Sequence, residues 1–136
     1  MASYTQKSRH SLAQWTYDDA GHATASVHAG GADSTSASFA AGNTTVTDAL
    51  GTQRTYSFQM AFGRMRLTSI QQPCPACGSG GTATTSWTYD ANGFVASRTD
   101  FNGNVTTYIN NSRGLETSRT EASGTPLART IDTQLV

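Results

Sequence analysis

Two cysteines, Cys74 and Cys77, form a Cys-Pro-Ala-Cys sequence of the kind that can bind zinc or act as a redox dithiol. A structural zinc ion needs about four ligands, and the sequence contains no second cysteine pair. A thioredoxin-like pair would begin a helix, whereas Gly-Ser-Gly-Gly follows here at residues 78–81. We predict no metal site and interpret residues 71–82 as an insertion loop in which Cys74 and Cys77 can form a disulfide.

Three aspartates, Asp48, Asp90 and Asp100, could be interpreted as the paired carboxylates of a glycosidase. However, each is followed three positions later by glycine. Aspartate at the first position of a type I turn accepts hydrogen bonds from nearby backbone N–H groups, and a following glycine adopts a positive φ. Because turn formation explains all three residues at once, we predict no catalytic and no cofactor-binding residue.

Two tryptophans, Trp15 and Trp87, precede Thr-Tyr-Asp in two copies of the same short sequence. A tryptophan repeated in one register indicates packing on a sheet, whereas exposed rings would favour stacking on glycans. His28 stands where aspartate is usual, and we interpret it as a turn residue.

The sequence repeats itself, and the repeats share an acid or amide followed three residues later by glycine. Trp-Thr-Tyr-Asp-Asp-Ala-Gly at residues 15–21 returns as Trp-Thr-Tyr-Asp-Ala-Asn-Gly at residues 87–93. Turns recur about every ten residues, which leaves room for one short strand between them. The turn-forming residues that we predict are Asp18 and Gly21, Asp48 and Gly51, Asp90 and Gly93, Asp100 and Gly103, and Asn111 and Gly114.

Weaker copies of this pattern fill the gaps, and in two of them the glycine comes four residues later. They are His28 with Gly31, Ser38 with Gly42, Gln59 with Gly63, and Glu121 with Gly124. The segments between turns are rich in Thr, Val and Tyr, which favour strands; we expect strands over Phe94–Arg98 and Asn104–Ile109. The sequence therefore predicts an all-β, antiparallel meander of β-hairpins, an open curved sheet of about ten or eleven strands without helices.

Composition and charge exclude several classes of protein. The chain has 136 residues, including 22 Thr and 15 Ser, and its formal net charge is zero. No basic run provides the electrostatic footprint of a nucleic-acid binder. No apolar run approaches the ~20 residues of a membrane-spanning helix, and the N-terminus lacks an apolar signal sequence.

The repeated sequence motifs resemble those of the Rhs/YD-repeat family, specifically the repeat region of bacterial Rhs proteins. The resemblance is carried by residues 17–21, 47–51, 89–93 and 99–103, and it extends over roughly residues 13–133. It implies a non-enzymatic segment of a large hollow shell that encloses a secreted polymorphic toxin, at a bacterial surface or outside the cell. The alternative that it implies is an adhesive module that binds carbohydrates or proteins.

Four segments follow from this interpretation. Residues 1–12 form a poorly defined N-terminal segment, residues 13–70 and 83–136 form hairpin repeats, and residues 71–82 form the insertion loop. Repeat units bury their apolar face only against neighbours, and large apolar side chains are thinly spread here. We therefore expect marginal stability or self-association, with neighbouring repeats, a C-terminal toxin or glycans as partners.

Overall fold

The computed structural model describes residues 3–4 and 12–134, which are almost entirely β-strands. The chain divides into two compact units, Met1–Tyr56 and Ser57–Val136, and each is described by itself below. The strands in the described residues are β1 (Ser3–Tyr4), β2 (Ala13–Tyr17), β3 (Ala23–His28), β4 (Thr35–Ala40), β5 (Asn43–Thr47), β6 (Gln53–Ala61), β7 (Arg64–Pro73), β8 (Thr82–Tyr89), β9 (Val95–Thr99), β10 (Val105–Asn110), β11 (Glu116–Glu121) and β12 (Arg129–Asp132).

Each strand lies beside the next one in the chain, from β1 to β12, and the paired strands are antiparallel. The predicted all-β antiparallel meander is therefore confirmed. Twelve strands lie in the described part of the chain, slightly more than expected, because the two-residue β1 pairs with β2. The rest of the expected N-terminal segment, residues 1–2 and 5–11, lies outside the described residues. No helix in the described ranges is long and apolar enough to cross a bilayer.

Several hairpins contain a register shift just before the turn. In the first unit it falls between Thr16 and Tyr17. In the second unit it falls between Thr88 and Tyr89, and between Ile109 and Asn110. Such a bulge bends the strand and increases its local twist. In each case the extra residue lies on the strand that follows the turn: Thr24, Ala96 and Thr117.

In three of the weaker turn predictions the first residue is wrong, whereas the glycines Gly42, Gly63 and Gly124 lie in turns with positive φ. Ser38 and Gln59 lie inside strands β4 and β6, because the hairpins that follow close with two residues instead of four. One of these turns is Phe62-Gly63, in which both residues have positive φ, 53° and 73°, as a type I′ turn requires. Glu121 ends β11, and the next connection is closed by other bonds, such as that from the Thr125 N–H to the Ala122 carbonyl.

Element boundaries differ slightly from expectation. β9 and β10 are each shifted one residue toward the C-terminus. The insertion loop is shorter than residues 71–82, because β7 continues through Pro73 and β8 starts at Thr82, where the two residues pair. Two single 3-10 turns, Ala29–Gly31 and Pro75–Cys77, are the helical elements within the described chain.

Neither unit has a conventional apolar core. No hydrophobic side chain of the described residues is buried, and several aromatic ones are widely exposed, such as Phe62 at 52%. Thr85, which is 2% exposed, is the buried polar residue, and its hydroxyl donates to the Thr99 carbonyl at 2.7 Å. Strand pairing within each unit therefore relies mainly on hydrogen bonds and on half-buried contacts.

Hydroxyl side chains form a continuous row across five strands of the second unit. Thr88, Ser97, Thr107, Thr120 and Thr130 are successive cross-strand partners from β8 to β12. Directly paired residues project from the same face of a sheet. Two of the pairs are hydrogen-bonded, Thr88 with Ser97 at 2.6 Å and Thr120 with Thr130 at 2.9 Å. This arrangement gives the numerous threonines a role in joining strands.

Candidate functional site

The turn acids and amides share one hydrogen-bonding arrangement. At Asp48 the carboxylate Oδ1 accepts from the N–H of Leu50 at 3.0 Å and from that of Thr52 at 2.9 Å. The Gly51 N–H donates to the Asp48 carbonyl at 2.9 Å, and Gly51 has φ 79°. The structure places the other four predicted pairs in the same arrangement: Asp18 and Gly21, Asp90 and Gly93, Asp100 and Gly103, and Asn111 and Gly114.

Three turn carboxylates have a lowered pKa because they accept hydrogen bonds. For Asp18 the main cause is the His22 side chain, for Asp48 the backbone N–H of Thr52, and for Asp100 the Asn104 side chain. A general acid needs a pKa near the working pH, so a lowered value disfavours that role. Asp48, Asp90 and Asp100 also belong to three different turns, and the turn bonds account for their position.

Cys74 and Cys77 are joined by a disulfide, with their Cα atoms 5.3 Å apart. The loop is closed further by backbone bonds from the Cys74 N–H to the Gly81 carbonyl at 2.8 Å and from the Gly81 N–H to the Gly78 carbonyl at 3.0 Å. No group of three or more His, Cys, Asp or Glu residues suited to a metal ion occurs in the described ranges. The disulfide thus closes the end of the β7–β8 hairpin.

The two tryptophans occupy strands, β2 for Trp15 and β8 for Trp87. Trp15 is 48% exposed and lies opposite Ser26. Trp87 is half-buried, and the guanidinium carbon of its cross-strand partner Arg98 lies 5.9 Å from the ring centroid. A cation over an aromatic face is attracted to it. The two rings therefore have different surroundings despite their identical sequence context.

Aromatic rings cover two of the turn glycines in the second unit, a feature that sequence reasoning missed. A Cβ added to Gly93 would lie 3.0 Å from Cδ2 of Phe62. A Cβ added to Gly114 would lie 2.7 Å from Cδ1 of Phe94, which is a severe overlap. The glycines are thus required both for φ and for the space that the rings occupy. The only signal in the sequence is an aromatic residue beside a turn glycine.

A groove of about 410 Å³ lies beside these glycines in the second unit. Tyr89 lies in its wall, and its hydroxyl donates to the Leu67 carbonyl at 2.6 Å. Asn110 Nδ2 donates to the Val95 carbonyl at 2.8 Å, which leaves the Asn110 side-chain oxygen without a partner in the described residues. The side chains that line the groove are Arg66, Tyr89, Phe94, Val95, Tyr108, Asn110 and Glu116.

Three ion pairs lie on β11 and between β11 and β12, and one of their members, Glu116, lines this groove. Arg119 donates to Glu116 at 3.2 Å and to Glu121 at 3.1 Å, and Arg129 donates to Glu121 at 2.7 Å. The pKa of Arg119 is raised, chiefly by its hydrogen bond to Glu121. The pKa of Glu121 is lowered, chiefly by its hydrogen bond to Arg129. These four charges therefore compensate one another.

No protein-family model matches the chain, and no curated protein matches it significantly. The resemblance to the Rhs/YD-repeat family therefore rests on the repeated short sequences themselves.

Proposed function

We propose that this chain is a non-enzymatic segment of a Rhs-type repeat shell that encloses a secreted polymorphic toxin. The observation that carries the proposal is the shared hydrogen bonding of five Asx-x-x-Gly turns in a meander whose strands follow chain order. Such an arrangement can be extended by adding hairpins, and repeat units stabilise one another through their neighbours. The proposed setting is the surface of a bacterium or its surroundings.

The lack of a buried hydrophobic side chain in the described residues supports a role beside further hairpins. Folding must offset ~1.5 kcal/mol of ordering entropy per residue, and half-buried contacts offset little of it. Unpaired edges of a sheet also invite pairing with other strands. We therefore propose neighbouring repeats, or other copies of this chain, as its first partners, and a C-terminal toxin as the enclosed cargo.

Protease protection tests the proposed shell. This chain is expressed as part of the proposed shell protein, whose C-terminal cargo segment carries a tag. The purified protein is then treated with protease. We expect the tagged segment to be cleaved at least about tenfold more slowly than the same segment expressed alone, because a shell excludes the protease. Equal cleavage rates would contradict the proposal. Substitutions of the turn glycines, such as Gly114→Ala, should restore cleavage by opening the shell.

A second candidate function is adhesion to glycans, and the exposure of Trp15 favours it. An exposed indole ring can stack on a sugar, whereas Trp87 is already covered in part by Arg98. A glycan array separates the two candidates. Saturable binding that is lost in Trp15→Ala and kept in Trp87→Ala would support adhesion. Absence of binding across the array would leave the shell as the only proposal.

A further inference from the structure

Arg66 contributes an unusual donor to the groove of the second unit. Its guanidinium carbon lies 5.4 Å from the centroid of the Tyr89 ring. Its Nε atom is covered and has no hydrogen-bond partner among the residues that the structure describes. Because protein atoms already cover Nε, a ligand can bind the guanidinium only through its terminal nitrogens.

The charge of Arg66 is also uncompensated. Glu116 is the acidic residue in the groove lining, but Arg119 binds it, and Arg119 and Arg129 together balance Glu116 and Glu121. No ion pair involving Arg66 occurs in the described part of the chain. Arg66 is therefore the cation of the lining that has no ion-pair partner among the described residues, in a half-buried setting where screening by water is weaker than on an open surface.

The remaining polar groups narrow the chemistry of a ligand. Because Asn110 Nδ2 is bound to the Val95 carbonyl, the amide oxygen is the part of Asn110 left to accept a hydrogen bond. The Tyr89 hydroxyl hydrogen is used at the Leu67 carbonyl. The lining thus offers the Arg66 cation, the Asn110 oxygen and the Tyr108 hydroxyl, together with the Glu116 carboxylate that Arg119 already binds.

We propose that this groove binds a small monocarboxylate that carries a neighbouring N–H or O–H donor. The carboxylate would take one donor from each of the two terminal nitrogens of the Arg66 guanidinium, which is shaped for such bidentate pairing. The ligand's own donor would bind the Asn110 oxygen. A phosphate dianion fits less well, because Arg66 supplies a single unpaired positive charge to the lining. This proposal does not depend on the shell function.

Nuclear magnetic resonance can follow the Arg66 Nε–H directly in the intact chain labelled with ¹⁵N. The probe is N-acetylglycinate, with D-glucuronate as a second source of the same group and the neutral N-acetylglycinamide as control. Sodium phosphate and sodium chloride at matched ionic strength control for charge alone. We expect a saturable shift of the Nε–H signal with one or both carboxylates, and none with the amide or the salts. A response to one carboxylate alone identifies the source.

Three variants decide whether the site is real. Arg66→Gln should weaken binding by about tenfold or more, as loss of hydrogen bonds to a charged group does. Arg66→Lys should weaken carboxylate binding less, because the positive charge remains while the two parallel donors of the guanidinium are lost. Arg64→Gln, an exposed position two residues earlier on β7, should bind as the original chain does. Unchanged binding in Arg66→Gln, equal loss in Arg64→Gln, or no saturable shift with either carboxylate would overturn the proposal.

Discussion

The ring of Phe94 occupies the space where Gly114 would carry a side chain. Phe94 follows Gly93, the glycine of the β8–β9 turn. Gly114 closes the β10–β11 turn, which is two turns further along the chain. Phe62 stands in the same relation to Gly93. Neighbouring turns on this side of the second unit are thus locked together by an aromatic ring placed over a glycine.

Gly114→Ala should therefore destabilise the chain more than an equivalent change elsewhere. Gly103 is the matched control, because it has a similar φ, 84° against 79°, but no atom lies within 4 Å of an added Cβ. We expect Gly103→Ala to cost ~1–2 kcal/mol of unfolding free energy from backbone strain alone. Gly114→Ala should cost a further ~1–3 kcal/mol for overpacking. Urea unfolding measures both, and equal losses would contradict the contact with Phe94.

Removing a turn carboxylate should weaken one hairpin. Asp100→Ala deletes the acceptor for the N–H groups of Asn102 and Asn104, and we expect a lower melting temperature, as when a helix-capping residue is lost. Asp100→Asn keeps an oxygen at the same place and should lose less. Asn102→Ala in the same turn is the control, since only its backbone N–H takes part. Thermal unfolding ranks the three, and a loss in Asn102→Ala equal to that in Asp100→Ala would count against the turn bonds.

Stability should fall in acid below about pH 4. The pKa values of Asp18, Asp48, Asp100 and Glu121 are lowered in the folded chain from ordinary values of 3.8 for Asp and 4.5 for Glu. A lowered folded-state pKa contributes stability above the unfolded-state pKa, and this is lost as pH falls through the folded-state pKa. Melting temperatures between pH 7 and pH 2 test this expectation. Replacing the four residues by Asn or Gln should flatten the profile, and an unchanged profile would refute the assignment.

Reduction of the disulfide should act locally. Closing so short a loop contributes only about 2 kcal/mol in the chain-entropy model. We expect faster hydrogen exchange at the amides of Cys74 and Gly81, which are bonded within the loop, and little change at Asp100, which lies in another turn. Mass spectrometry with and without alkylation establishes the thiol state beforehand. Unfolding of the whole second unit on reduction would show that the loop has a wider role.

The meander and its five uniform turns were predictable because they depend on residues three or four positions apart. Asp48 and Gly51 illustrate this, since every partner in their turn lies within residues 48–52. The two-residue turn at Phe62-Gly63 was missed because phenylalanine rarely adopts positive φ. The groove was missed because Arg66, Tyr89 and Asn110 come from β7, β8 and β10. Their proximity depends on strand register and bulges, which short sequence patterns do not specify.

The row of hydroxyls from Thr88 to Thr130 bears on how stability varies with temperature. Exposure of apolar surface raises the heat capacity on unfolding, and exposure of polar surface lowers it. A sheet joined by threonine and serine, with no buried hydrophobic side chain among the described residues, exposes little new apolar surface when it unfolds. Its heat-capacity increment per residue should lie below the ~12–15 cal/mol/K of ordinary domains. The free energy of unfolding then varies only gently with temperature. Cooling should therefore destabilise this fold less than it destabilises a fold with an apolar core.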